Sequence, residues 1–315
     1  MNNLSNTSDS HPVDRLQVNL AGIRMRNPVM TASGTFGYGS EYEDFVDLNK
    51  LGAIVVKGIT SEPWPGNPME RIAETPSGML NAIGLQNVGV DDFIQQKLPY
   101  LKDYDVPVIA NVCGRYDSEY MEVVDKLSAT NQIAGIELNI SCPNLKCGGL
   151  SFGLEPTLTA KLVNQVRQIT KLPLLVKLSP NVTDISKIAI AASDNGADGL
   201  SAINTLLGMG IDIKTRRPLL ANITGGLSGP AIKPVALRLV WQVYNSVQIP
   251  IIGMGGITNG NDALEFIIAG ASAVAIGTAN FVNPRASMEI IDQLSTYLMQ
   301  QDIGSINDLV GVLET

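Results

Sequence analysis

The chain has 315 residues, of which 45% are hydrophobic and 17% are charged, so it can bury the core of one large α/β barrel or of two ordinary domains. Its formal net charge of −8 at pH 7 argues against a nucleic-acid partner, because binding a phosphate backbone requires clustered Lys and Arg. Three cysteines in a chain of this length do not make a disulfide framework, so a reducing, cytoplasmic location is expected.

The start of the chain predicts a leader followed by a hairpin. Residues 1–14 are polar and lack the apolar core of a signal peptide, and we expect them to be disordered. The segment from Arg15 to Arg26 alternates polar and apolar residues around Ala21 and Gly22, which indicates a β-hairpin that caps the floor of a barrel. No uncharged apolar run reaches the roughly 18 to 20 residues that a membrane-spanning helix requires.

From Pro28 onward, short runs rich in Val, Ile and Ala alternate with longer amphipathic stretches, a pattern typical of βα units around a parallel sheet. The runs predicted to be strands are Pro28–Ser33, Ala53–Gly58, Pro107–Val112, Gly135–Ser141, Pro173–Ser179, Gly199–Thr205, Pro250–Gly255 and Ala273–Gly277. Eight strands fit a closed (β/α)8 TIM barrel better than an open doubly wound sheet, which usually has about five or six. Since no linker divides the chain, residues 15–315 are predicted to form one barrel.

Between the strands, apolar residues recur with helical spacing. The clearest predicted helices are Asp91–Tyr104, Ser118–Leu127, Thr157–Thr170, Lys233–Ser246 and Asp262–Ala269. The stretch from Leu206 to Ser228 is rich in Gly, Arg and Thr and is too long for a routine connection. We therefore predict an excursion after strand six that passes over the mouth of the barrel.

Polar residues collect at the carboxyl ends of the predicted strands, where barrel enzymes carry their chemistry. They include two lysines and three asparagines: Lys57, Lys177, Asn111, Asn139 and Asn204. One isolated asparagine would most simply be a turn or cap residue, but repetition at equivalent strand ends weakens that interpretation. Amides suit a planar ligand with carbonyl and N–H edges, and lysines suit a carboxylate or an electron-rich ring. The pattern predicts a site for a small anionic heterocycle.

Glycines follow strands seven and eight, at Gly255, Gly256 and Gly277, and Thr278 comes directly after the last of them. Their backbone N–H groups would face a phosphate at the usual barrel phosphate site. The alternative is a pair of tight turns that bind no ligand. The run does not spell G-x-G-x-x-G and follows a late strand, which disfavours a Rossmann dinucleotide site.

Histidine is nearly excluded from the chemistry, because the only one, His11, lies in the leader. One histidine and three cysteines provide no His/Cys metal site, and an iron–sulfur cluster normally takes four cysteine ligands. Cys142 directly follows strand four, where a thiol would face the cavity, and position alone leaves catalytic and structural roles equally open. Cys113 could simply belong to the core, and Cys147 has no assigned role.

These residues occur within motifs that resemble the class 1 dihydroorotate dehydrogenases from about Leu16 to past Phe281. The most specific segments are Asn81–Asn87 (NAIGLQN), Leu138–Asn144 (LNISCPN), Lys177–Asn181 (KLSPN) and Asn222–Pro230 (NITGGLSGP). The residues of these segments are more similar to those of the B-type, NAD-linked branch than to those of the fumarate-using A-type branch. The membrane-associated class uses serine as its base and carries an added amphipathic N-terminal segment, and this sequence has neither.

The resemblance implies a set of ligand contacts. The residues implied to contact FMN are Ser33, Lys57, Gly58, Asn111, Asn139, Lys177, Ile203, Gly229, Gly255, Gly256, Gly277 and Thr278. The residues implied to contact dihydroorotate are Lys57, Asn81, Ala82, Ile83, Gly84, Leu85, Asn139, Asn144, Asn204 and Thr205. Cys142 would remove the C5 proton while hydride passes from C6 to FMN, and Lys57 would stabilise the developing negative charge.

The resemblance also implies partners. A second subunit with FAD and a 2Fe–2S cluster would deliver the electrons to NAD+, and two copies of this chain would form the central dimer of a heterotetramer. Other interpretations remain open from the sequence: the fumarate-using A-type enzyme, a barrel aldolase or synthase that uses Lys57 or Lys177 as a Schiff-base nucleophile, and a flavin-binding module without turnover.

Overall fold

A computed structural model describes residues 14–141 and 152–314. Its central sheet consists of eight parallel strands: β1 (Val29–Thr31), β2 (Ile54–Val55), β3 (Val108–Val112), β4 (Gly135–Asn139), β5 (Leu174–Lys177), β6 (Gly199–Ala202), β7 (Ile251–Met254) and β8 (Ala273–Ile276). Neighbours in sequence are neighbours in space, and β8 also pairs with β1. A parallel bridge between Met30 and Ala53 joins β1 to β2 and closes the barrel. The predicted (β/α)8 architecture is confirmed.

Every residue of these eight strands is buried, because one face of the sheet lines the barrel interior and the other lies under the helices. This explains why the strands are continuous Val, Ile and Ala runs without alternation. All eight predicted strands exist, and each is shorter than predicted. All of them end earlier than predicted except β3, which reaches Val112. The polar residues at the predicted strand ends therefore lie in the loops or on one of the last two strand residues.

The helices are Val90–Asp92, the π-helical Phe93–Lys97, Leu98–Leu101, Asp117–Ser128, Pro156–Ile169, Ile185–Asp194, Lys233–Tyr244, Gly260–Ile268, Ala279–Val282 and Ala286–Gln300. Each of the five predicted helices is present within a few residues of its predicted bounds. The helix Pro156–Ile169 is representative, since Leu162, Val163 and Val166 on one face are buried against the barrel. Among the described residues, no helix is long and apolar enough to cross a membrane.

The predicted hairpin at the barrel floor is confirmed. Val18–Leu20 pairs with Ile23–Met25, and the two turn residues Ala21 and Gly22 both have positive φ, the geometry of a type I′ turn. The side chain of Ile23 reaches the first residue of β4, where a β-carbon on Gly135 would lie 2.8 Å from Ile23 Cδ1. The hairpin thus closes the amino-terminal end of the barrel.

A second, four-stranded sheet lies at the opposite end, and we call it the mouth sheet. In spatial order its antiparallel strands are Leu206–Met209, Thr224–Ser228, Gly78–Asn81 and Ile72–Thr75. Two of its strands belong to the predicted excursion after β6, which is confirmed. The other two form a hairpin in the connection after β2, and the sequence did not predict them. Leu80, Ala82 and Leu220 form a small separate core at this sheet.

Candidate active site

A cavity of about 450 Å³ lies between the carboxyl ends of the barrel strands and the mouth sheet. The predicted site residues that line it are Ser33, Lys57, Gly58, Asn81, Ile83, Gly84, Leu85, Asn111, Asn139, Lys177, Ile203, Asn204, Thr205, Gly229, Gly255, Gly256, Gly277 and Thr278. Ala82 does not line it, because its side chain is fully buried with Leu80 and Leu220. Cys142, Asn144 and Cys147 lie outside the described residues.

The last residue of β5, Lys177, carries a buried ammonium group into this cavity. The residue is only 5% exposed, and Lys177 Nζ donates a hydrogen bond to Ser33 Oγ at 3.2 Å. Within residues 14–141 and 152–314, no carboxylate lies within salt-bridge distance of it. A buried cation with one neutral partner is costly unless a ligand supplies negative charge or further acceptors.

The second lysine, Lys57, follows β2 and lies on the same cavity. Burial lowers the pKa of the Lys57 ammonium below its usual value, the nearby Arg71 guanidinium lowers it further, and the carboxylate of Glu41 partly opposes both effects. Arg71 also lines the cavity and donates to Gln86 Oε1. Arg71 was not predicted as a site residue, and it lies in the connection leading to the mouth sheet. Three cationic side chains therefore surround a space that would attract an anion.

Below the lysines, polar side chains from neighbouring strands form a hydrogen-bonded group inside the barrel. Asn111 Nδ2 donates to Glu137 Oε2 at 2.6 Å, and Ser201 Oγ donates to Glu137 Oε1 at 2.6 Å. Asn139 Nδ2 donates to Asn111 Oδ1 at 3.3 Å, and Tyr120 donates its phenol proton to the backbone oxygen of Asn139 at 2.8 Å. Glu137 is only 1% exposed and was not identified as a site residue from the sequence. These bonds fix the cavity-lining asparagines in place.

The group continues toward the mouth sheet. Ser141 Oγ donates to Asn139 Oδ1 at 3.0 Å, and Asn204 Nδ2 donates to Ser141 Oγ at 2.7 Å. The backbone N–H of Thr205 then donates to Asn204 Oδ1 at 2.7 Å. Ser141 is 3% exposed, so the chain leaves β4 buried beside the cavity as it approaches Cys142.

Glycines form the opposite wall, at the ends of β7, β8 and the mouth-sheet strand Thr224–Ser228. Gly229, Gly255 and Gly256 have φ values of 93°, 129° and 80°, a region that L side chains rarely adopt. A β-carbon on Gly256 would also lie 2.8 Å from the backbone oxygen of Gly229, so the two turns touch. Thr278 Oγ1 donates to Ser228 Oγ at 2.8 Å and connects the turn after β8 to them. This close backbone packing suits a phosphate cradle.

A carboxylate outside the cavity holds one of these turns. Asp262 Oδ2 accepts from the backbone N–H of Thr258 at 2.9 Å and from Thr258 Oγ1 at 2.6 Å, and Asp262 Oδ1 accepts from Lys233 Nζ at 2.7 Å. Although burial acts to raise the pKa of Asp262, the hydrogen bonds from Lys233 and Thr258 outweigh it and lower the pKa. Thr258 itself lines the cavity, so Asp262 anchors the turn that follows β7.

The comparisons with known proteins agree with this geometry. The dihydroorotate dehydrogenase family profile matches residues 15–298. A Pelobacter propionicus protein named dihydroorotate dehydrogenase B (NAD(+)), catalytic subunit, is 58% identical over 299 residues, covering 95% of this chain and 98% of that protein. A protein of the same name from Alkaliphilus metalliredigens is 57% identical over 298 residues, with the same two coverages.

Among solved structures, DHODH from Eimeria tenella in complex with ferulenol superposes with a TM-score of 0.81, covering 99% of this chain and 91% of that chain. At 24% identity this similarity supports the fold alone. The family profile and the two relatives extend over most of the chain, and the range that the profile matches includes the positions of the four motifs. The chain belongs to the dihydroorotate dehydrogenase family.

Proposed function

We propose that this chain oxidises dihydroorotate to orotate for pyrimidine biosynthesis, using FMN bound between the barrel and the mouth sheet, as the NAD-linked B-type enzymes do. The observation that carries this proposal is the buried Lys177 ammonium, whose one hydrogen-bond partner among the described residues is Ser33. An electron-rich flavin ring would satisfy this cation. The relatives named dihydroorotate dehydrogenase B (NAD(+)), catalytic subunit, support the choice of reaction and branch.

The cavity residues fit FMN chemically. The touching turns at Gly229, Gly255 and Gly256, with Gly277 and Thr278, would hold the phosphate through backbone N–H groups. The ring would be held by Lys177 and by further residues that line the same cavity: Ser33, Lys57, Gly58, Asn111, Asn139 and Ile203. When bound, FMN supplies an acceptor for the hydride that leaves C6 of dihydroorotate.

Dihydroorotate is an anion with two ring carbonyls, its product orotate is planar, and the remaining cavity residues suit such ligands. Lys57 would pair with its carboxylate, and the amides of Asn81, Asn139 and Asn204 would hold its polar edges. Ile83, Gly84, Leu85 and Thr205 line the same region. Asn144 is proposed to complete this set from the loop outside the described residues, whereas the buried Ala82 is not included.

We assign the proton transfer to Cys142. Oxidation requires a base on the face of the substrate that carries the C5 proton, and the one histidine of the chain lies in the leader at position 11. Cys142 lies outside the described residues, but its neighbour Ser141 is buried and bonded to Asn139 and Asn204, beside the proposed substrate site. The Cys142 thiolate would take the C5 proton, and Lys57 would stabilise negative charge that develops on the product.

The electrons are proposed to leave through a separate subunit. The names of the relatives call them catalytic subunits, which implies such a partner. Three cysteines are too few for a cluster ligated by this chain alone, and the sequence lacks a Rossmann fingerprint for NAD. We propose FAD and a 2Fe–2S cluster on the partner, with two copies of this chain at the centre of a cytoplasmic heterotetramer.

The choice of electron acceptor provides a test of this function. The purified chain would be assayed with dihydroorotate and, in separate reactions, an artificial dye, NAD+ or fumarate. We expect dye reduction without NAD+ reduction, and we expect NAD+ reduction to appear when the partner subunit is added. Robust turnover with fumarate by the isolated chain would instead assign it to A-type chemistry, and no turnover with any acceptor would contradict the proposed reaction.

A further inference from the structure

A one-way chain of hydrogen bonds runs from the mouth of the barrel to Glu137. Asn204 Nδ2 donates to Ser141 Oγ, and Ser141 Oγ donates to Asn139 Oδ1. Asn139 Nδ2 in turn donates to Asn111 Oδ1, and Asn111 Nδ2 donates to Glu137. Each donor therefore points toward the carboxylate. We call this series the amide relay.

The direction of the amide relay follows from the chemistry of its last member. Both oxygens of Glu137 accept hydrogen bonds here, whereas an Asn amide has a donor end and an acceptor end. Because Glu137 accepts, Asn111 must turn its Nδ2 toward Glu137 and its Oδ1 toward Asn139. That oxygen requires a donor, so Asn139 must turn its own Nδ2 toward Asn111 and its Oδ1 toward Ser141. Asn204 is oriented separately, because its Oδ1 accepts from the backbone N–H of Thr205.

We propose that Glu137 is a positioning residue that sets the orientation of the Asn111 and Asn139 amides, which line the cavity. This inference rests on the proposed function, because it identifies what determines the polarity of the same site. In Asn111 and Asn139 the side-chain oxygen already accepts from a protein donor, and one N–H of each Nδ2 group is used in the amide relay. Each amide keeps one further N–H, so Glu137 makes these amides donors toward a ligand and selects ligands that present carbonyl or carboxylate oxygens.

The burial of Glu137 supports a role beyond packing. It is 1% exposed, and both of its oxygens accept from neutral side chains, Asn111 and Ser201. No Lys, Arg or His within the described residues lies within salt-bridge distance of it. A buried carboxylate held only by neutral donors is expensive for stability, and an apolar residue would pack the same position at lower cost. The site thus keeps an acceptor where packing alone would not require one.

The Glu137→Gln variant tests this role, because glutamine keeps the shape but can donate or accept at either position. With both orientations of Asn111 permitted, the amides are no longer held as donors. We expect Glu137→Gln to retain FMN and its melting temperature but to bind orotate about tenfold more weakly in calorimetric titration, the loss of one or two net hydrogen bonds. We also expect KM for dihydroorotate to rise more than kcat falls.

A control outside the cavity is Glu289→Gln, since the exposed Glu289 also accepts from an asparagine, Asn283 Nδ2, at 2.9 Å. It should bind orotate as the wild type does. Glu137→Asp keeps an acceptor-only group and should bind orotate more tightly than Glu137→Gln. If Glu137→Gln does not hold FMN, the test uses Glu137→Asp alone. We then expect Glu137→Asp to bind orotate within about threefold of the wild-type affinity.

The inference would be overturned by unchanged orotate affinity in Glu137→Gln. It would also be overturned if both variants hold FMN and Glu137→Asp binds orotate no more tightly than Glu137→Gln. If only Glu137→Asp holds FMN, a loss of more than about threefold in its orotate affinity would also overturn the inference. These differ from a failure of the proposed function, in which the FMN-loaded wild type would itself not bind orotate.

Discussion

Lys177 Nζ and Ser33 Oγ lie 3.2 Å apart, although the two residues are 144 positions apart in the sequence. The contact joins the end of β5 to the turn after β1 across the mouth of the barrel. Ser33 orients the ammonium without neutralising it, so a positive charge remains available to a bound ring. The proposed flavin site is therefore formed by elements that only the closed barrel brings together.

Replacing this lysine should damage flavin binding more than folding. Lys177→Met keeps the apolar stem and removes a buried charge, so we predict an unchanged or higher melting temperature but weaker FMN binding by roughly 10- to 100-fold, measured by titrating the apoprotein with FMN. Lys171→Met is the control, because Lys171 is an exposed lysine outside the cavity. Full FMN affinity in Lys177→Met would show that Lys177 does not hold the flavin.

The anchor of the turn after β7 gives a second prediction about FMN. Asp262→Ala removes the acceptor for both Thr258 donors, and we predict roughly tenfold weaker FMN binding because the turn is no longer held in shape. Glu265→Ala is a close control, since Glu265 shares the Lys233 contact but does not bond Thr258. Equal losses in the two variants would assign the effect to Lys233 rather than to the turn.

The lowered pKa of Lys57 predicts a pH dependence of ligand binding. Burial, followed by Arg71, lowers this pKa, whereas an anionic ligand favours the protonated lysine. Orotate affinity should therefore be full below the Lys57 pKa of the ligand-free protein and fall as the pH rises through it. In the ligand-free chain the unfolded state binds this proton more tightly, so the contribution of Lys57 to the free energy of unfolding rises with pH over the interval up to 10.5.

The measurement compares orotate affinity in the wild type and in Lys57→Met across pH, because the ratio cancels any titration of the ligand. We predict wild-type binding that is tighter by roughly 10- to 100-fold at neutral pH, with the ratio falling toward one in alkaline solution. A ratio that stays constant through the alkaline range would mean that Lys57 does not pair with the ligand.

Removal of the proposed base should separate chemistry from binding. We predict that Cys142→Ala keeps FMN and binds orotate but reduces its flavin with dihydroorotate roughly 10²- to 10⁴-fold more slowly near neutral pH. Cys142→Ser should recover part of the rate at high pH, because a hydroxyl is a poorer base than a thiol and loses its proton only in more alkaline solution. Wild-type reduction rates in the Ala variant, measured by stopped flow, would remove Cys142 from this role.

The sequence predicted the barrel because strands buried on both faces leave continuous apolar runs, and the positions after those runs fall at one rim. Lys57, Lys177 and Asn204 could be identified in this way without any contact being known. Site residues could not be predicted where their role depends on partners that are distant in the sequence. Glu137 lies in the middle of a predicted strand, and its partners Asn111 and Ser201 are 26 and 64 positions away.

The mouth sheet was missed for the same physical reason. The strand Gly78–Asn81 pairs with Thr224–Ser228, both are short, and the second contains two glycines, Gly225 and Gly226. Such strands have weak intrinsic preference and form only when the barrel brings them together. Arg71 was missed with them, because its place at the cavity depends on how this hairpin folds over β2.

The most direct test of the account is to add dihydroorotate to the purified chain without oxygen and follow its flavin absorption. We predict a yellow protein that contains FMN, loses the oxidised flavin band on addition of dihydroorotate, and yields orotate in an amount equal to the flavin reduced. A colourless protein that cannot be loaded with FMN, or a yellow protein whose spectrum dihydroorotate leaves unreduced, would contradict the account.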